Sequence, residues 1–134
     1  MRSYITFEVE NFIRDYPDNK RALDNLRARL SEITEIPGMD LTRDRVQVSP
    51  GNALEEQALT RIYIEGEIEA LEAYFARFEK AYAAISPEDK IIIDAYKDGE
   101  RYVVDRLCYD LGLEKSRVYE LRRIAFDNFA RFAI

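Results

Sequence analysis

At 134 residues, 47% of them hydrophobic and 34% charged, the chain has material for one core: a single domain, or a small domain with a helical extension. It holds no histidine and one cysteine, which excludes Cys/His zinc sites, Ser-His-Asp triads and an internal disulfide, and predicts a reducing, cytoplasmic compartment. The formal net charge of −6 argues against indiscriminate nucleic-acid binding, and no apolar run is long enough for a bilayer, so no membrane partner is expected.

Residues 3–16 place Ile5, Val9, Phe12 and Tyr16 at four-three-four spacing, an amphipathic helix. Its β-branched and aromatic residues lower intrinsic propensity, so tertiary packing must hold it. Arg14 and Asp15 interrupt the first apolar stretch, which denies it the character of a signal peptide. Tyr16-Pro17-Asp18 breaks this helix, and Pro17 with Asp18 suits the first turn of another. Over 18–35, Leu23, Leu26, Leu30 and Ile33 form the stripe of that second helix, which Ile36-Pro37-Gly38 ends. Residues 36–53 have no helical period and read as a loop, with Arg45–Val48 the one short run that could extend.

The stretch 54–85 predicts one long helix, with Ile64, Ile68, Leu71, Phe75, Phe78, Tyr82 and Ile85 alternating by four and three. Such a stripe suits an antiparallel seam against the N-terminal helices or a dimeric coiled coil; the aromatic knobs favour the former. Gly66 lies off the stripe and permits a close helix crossing. Ser86-Pro87-Glu88-Asp89 then starts a helix over 87–97 that carries Ile91, Ile92, Ala95 and Tyr96 and stops at Asp98-Gly99.

The last stretch, Tyr102 to Phe129, has the outline of a helix-turn-helix, the unit that lays its second helix in a DNA groove. Val103, Val104, Leu107, Cys108 and Leu111 would face a core from the first helix, and Val118, Leu121, Ala125, Phe129 and Phe132 from the second. Gly112 and Leu113 form the turn. Between the apolar positions lie Lys115, Ser116, Arg117, Tyr119, Glu120, Arg122 and Arg123, clustered in the first turns of the second helix. Ser116 is its expected N-cap, beside free N–H groups that suit phosphate oxygens. Lys115, Arg117, Arg122 and Arg123 are the expected backbone anchors, while Tyr119 and Glu120 incline toward bases. Charge supports this placement: residues 1–85 carry 11 basic and 16 acidic side chains, whereas residues 101–134 carry seven basic and five acidic.

Other clusters carry less. Asp94, Asp98, Gly99 and Asp105 partly imitate a calcium loop, but helical periodicity runs through Asp94. Glu65, Glu67, Glu69 and Glu72 read as a solvated helix face, and Cys108 as a small core residue. No catalytic residue, metal site or cofactor is expected.

The run from Gly112 to Phe132 resembles the DNA-reading segment of sigma-factor region four, in which a glycine turn precedes a basic start to the helix. That likeness puts Lys115, Arg117, Tyr119 and Glu120 at base-facing and backbone-facing positions. The wider chain is similar to phage-encoded transcriptional regulators of the RinA/ArpU type. The matching stretches are Val46-Gln47-Val48-Ser49-Pro50 and Arg101-Tyr102-Val103. The resemblance covers most of residues 45–132. Two departures stand out: Val104-Asp105-Arg106-Leu107-Cys108 replaces an aromatic plus Ile-Ala, and Tyr119 stands where sigma factors commonly place a basic residue.

The expectation is therefore an all-α protein, with a helical N-terminal region over 1–85 and a sigma-like helix-turn-helix over 86–134. The resemblance implies a sequence-specific activator of phage late genes in a bacterial host, with double-stranded DNA as partner. Because the reader is only weakly positive, a homodimer or RNA polymerase is expected to supply affinity. A terminase small subunit, or a helical protein-interaction adaptor that never touches DNA, are the alternatives.

Overall fold

The computed structural model describes residues 2–35 and 50–133. Six helices occupy them and no strand is present among the described residues. They are α1 (Arg2–Arg14), α2 (Tyr16–Glu35), α3 (Pro50–Ala84), α4 (Pro87–Lys97), α5 (Val103–Leu111) and α6 (Lys115–Ala133). The protein is all-α with one long central helix. Most of the expected loop 36–53, including Arg45–Val48, lies outside the described residues. Its last four positions, from Pro50, belong to α3, where proline fits a first helical turn whose N–H groups have no intrahelical acceptor.

The helices form two compact units: Met1–Asn19 with Tyr74–Ile134, and Lys20–Ala73. This differs from a division at 85/86. The first unit joins α1 and the end of α3 to α4, α5 and α6, because α1 packs against both α4 and α6. Its core contains Ile13, Phe78, Ala81, Ile92, Ile93, Tyr96, Val103, Leu107, Val118, Ala125, Phe126 and Phe129. Phe78 is the hub: its ring centroid lies 4.8 Å from Tyr16 and 5.1 Å from Phe129, and Phe12 stacks at 6.2 Å. Edge-on and tilted ring pairs of this kind contribute beyond their buried area. The Tyr74 hydroxyl donates to the Phe12 carbonyl. Tyr74 is thereby held largely out of solvent, and burial pushes its phenol pKa up.

Several core assignments shift by part of a helical turn. Ile91 is 49% exposed while Ile93 is fully buried, because α4 packs against α1, α5 and α6 and its buried arc is set by all three. In α6, Phe126 and Ala133 fill the core, and Phe132 is 39% exposed. Leu111 is also outside, as the last residue before the glycine turn. Asp89, in the first turn of α4, is buried and accepts a 2.8 Å hydrogen bond from the Asn128 amide of α6. That bond satisfies a carboxylate whose burial would otherwise be costly.

The second unit is thinner. Leu23 of α2 and Ile64 and Ile68 of α3 are its buried apolar side chains among the described residues. Arg27 and Glu72 form a half-exposed ion pair at 3.4 Å, of a kind that contributes little.

Candidate nucleic-acid interface

Three local devices place the last helices. The Ser86 hydroxyl caps α4 by accepting from the Asp89 N–H at 3.2 Å. Gly112 ends α5 at φ 66°, ψ 34°, in the left-handed region where a Cβ is strained, and the Leu113 N–H returns to the Cys108 carbonyl at 3.2 Å. The Glu114 carbonyl then accepts from the Val118 N–H at 3.0 Å and opens α6. Ser116 is therefore inside the first turn and is not the N-cap expected from the sequence. Helix α6 is anchored by Val118, Ala125, Phe126 and Phe129, all essentially buried.

This anchoring leaves Lys115, Ser116, Arg117, Tyr119, Glu120 and Arg123 exposed at the start of α6. Their surroundings differ. Lys115 Nζ lies 3.5 Å from Asp105 Oδ1 of α5, and Arg117 Nη1 lies 3.2 Å from Glu120 Oε1. All four side chains are at least half exposed, so each pair is worth roughly 0–1 kcal/mol and opens readily. Arg123 has no ion-pair partner among the described residues. Glu120, expected to lean toward bases, is paired with Arg117 one turn away.

Arg122 departs most from its expected role as a backbone anchor. Its guanidinium turns back onto the body of the protein, donating to Glu10 Oε1 of α1 at 3.3 Å and to the Tyr96 hydroxyl at 3.4 Å. It lies over the rings of Tyr119 at 5.1 Å and Phe126 at 5.6 Å, geometry that favours a planar cation. Its Nε–H is buried without an acceptor among the described residues. Glu10 also takes a 3.0 Å bond from Arg14. Burial pushes the Tyr96 phenol upward, and the hydrogen bond from Arg122 partly offsets that. Arg122 thus joins α1 to α6, a role that depends on a residue 112 positions upstream.

The fold also brings Arg14 of α1 beside residues that the sequence had singled out. Beside the start of α6 lies a cleft of about 230 Å³ whose lining mixes Arg14, Arg101 and Lys115 with Glu10 and Asp105, and includes Tyr102 and Tyr119. Tyr102 is 74% exposed. Arg101 and Tyr102 were visible as the pair before α5; Arg14 was not, since only the packing of α1 brings it here. Arg106 is occupied, bonded to Glu100 and 3.5 Å from Asp110, and the Glu100 hydrogen bond raises its pKa.

Asp94 lies within α4 and accepts from the Tyr82 hydroxyl at 3.0 Å, which places it in a helix and not in a calcium loop. Among the described residues no group of three or more acidic, Cys or His side chains converges on a metal-sized site, and no helix is long and apolar enough to cross a membrane. No protein-family model, curated protein or solved structure matches the chain.

Proposed function

We propose that this protein is a sequence-specific, double-stranded-DNA-binding transcriptional regulator, of the phage late-gene activator type, that reads DNA with the first turns of α6. The observation that carries this is the exposed set Lys115, Ser116, Arg117, Tyr119 and Arg123 on a helix presented by a glycine turn and locked from behind by Val118, Ala125 and Phe129. Lys115, Arg117 and Arg123 contact phosphates or guanine edges, and Tyr119 stacks or bonds beside them. Arg101 and Tyr102 extend the contact to the neighbouring backbone. Arg122 supports the reader from inside.

Binding has to break the Lys115–Asp105 and Arg117–Glu120 pairs, which costs little because both are solvated. The same pairs favour a second reading, a protein-interaction adaptor, since they leave the face close to neutral. Two copies, or RNA polymerase, supply the affinity that one weakly basic reader lacks.

Selection from a pool of duplexes with a randomised centre tests the reading. The wild type should enrich a common sequence. The double variant Arg117→Ala/Arg123→Ala should bind the enriched duplex more weakly, with the slope of log K against log salt shallower by about 2 per protomer, at ~0.9 per lost phosphate contact. No enrichment at low salt, or unchanged binding by the double variant, would overturn it. A ring-shaped oligomer would point instead to a DNA-packaging adaptor.

A further inference from the structure

Helix α3 has a second apolar face. In the unit Lys20–Ala73, Ile64 and Ile68 are buried, yet Leu59, Ile62 and Tyr63 of the same helix are 66%, 64% and 66% exposed. At about 100° per residue, Leu59, Ile62, Gly66, Ala70 and Ala73 fall on one narrow strip on the side of α3 opposite Ile64 and Ile68, with Tyr63 on its flank. Gly66, Ala70 and Ala73 are exposed as well, and a Cβ built at Gly66 meets nothing within 4 Å.

The strip is symmetric about Gly66. Its spacing runs three, four, four, three, with large residues before the glycine and small ones after it. Turned end to end on a copy of itself, Leu59, Ile62 and Tyr63 of one helix lie over the small residues of the other, and the two glycines meet where the backbones cross. An isologous two-fold contact requires this kind of self-matching. The six residues offer roughly 500 Å² a side, about 1,000 Å² for the pair, which reaches the lower bound of ~1,000 Å² for a specific interface.

We infer that the Leu59–Ala73 face of α3 docks antiparallel on the same face of a second copy, giving a closed dimer. The pairing supplies the second copy that the DNA-reading proposal calls for, but it rests on α3 alone. Glu69 borders the strip three residues from Gly66 and so lies near its own counterpart across the two-fold; the two copies repel there at low ionic strength, and added salt tightens the dimer by screening that pair. DNA binding has the opposite salt dependence.

Sedimentation of the full chain without DNA tests this directly. The wild type should shift from monomer to dimer with concentration, and more readily at higher salt. Gly66→Glu should hold the protein monomeric by at least a tenfold weaker association, with a circular dichroism melt no lower than the wild type, because the site is open and glutamate is the better helix former. On a Cys108→Ser background, Gly66→Cys should form an intermolecular disulfide on oxidation, and Glu79→Cys should not. A wild type monomeric at all concentrations and salts, a dimer unaffected by Gly66→Glu, or assembly beyond a dimer would each overturn the proposal. Failure of DNA selection with the dimer intact would sink only the DNA reading.

Discussion

Arg122 and Arg123 are adjacent in sequence and opposite in surroundings, so alanine at each position separates folding from reading. Removing Arg122 deletes its bonds to Glu10 at 3.3 Å and to Tyr96 at 3.4 Å and three ring contacts. A charge-assisted bond contributes about 1.5–3 kcal/mol, and these lengths belong at the lower end. Two features reduce the loss: Glu10 keeps Arg14 at 3.0 Å, and the orphaned Nε–H of Arg122 disappears with the side chain. The expected net cost is about 1.5 kcal/mol, which lowers Tm by roughly 5 °C for a chain of this size. Arg123→Ala, on the exposed side, should stay within about 0.5 kcal/mol of the wild type while weakening binding to a selected duplex. Melting by circular dichroism and fluorescence anisotropy on the duplex measure the two effects. An Arg122→Ala protein with unchanged Tm, or an Arg123→Ala protein that melts early and binds normally, would refute this division of labour.

Other expected outcomes concern the parts that hold α6 in place. Gly112→Ala meets no neighbour, so its cost is the left-handed backbone alone, about 1 kcal/mol in chemical denaturation, and Gly112→Asn should recover part of it. Asn128→Ala leaves the buried Asp89 carboxylate without its amide donor and should cost about 1–3 kcal/mol, read from the urea midpoint. Burial raises the phenol pKa values of Tyr74, Tyr82 and Tyr96, so the folded state holds those protons more tightly than the unfolded chain. Their stabilising contribution is complete below the unfolded tyrosine value near 10 and is lost as pH rises above it. Alkaline titration followed by tyrosinate absorbance should therefore show a late-titrating group that vanishes in urea; a single transition near 10 under both conditions would contradict it.

What the sequence by itself determined was local. Proline and serine starts, glycine stops and apolar spacing within one helix are short-range signals, so the helices, the Gly112 turn and the outward set at the start of α6 were legible in the order of residues. The expected N-cap at Ser116 was misplaced because the choice between Glu114 and Ser116 turns on where the first carbonyl accepts.

What only the tertiary structure decided was how helices distant in sequence share surfaces. The packing of α1 against α4 and α6 set the compact units, buried Ile13 and Ile93, and gathered Arg14 and Arg101 beside Lys115. It also turned Arg122 from a surface cation into a cross-link. The period of a helix says which residues share a face, but not how many faces its neighbours will cover. In α4 three neighbours, α1, α5 and α6, widen the buried arc; in α3, between Leu59 and Ala73, one apolar face is buried and the opposite one is left open.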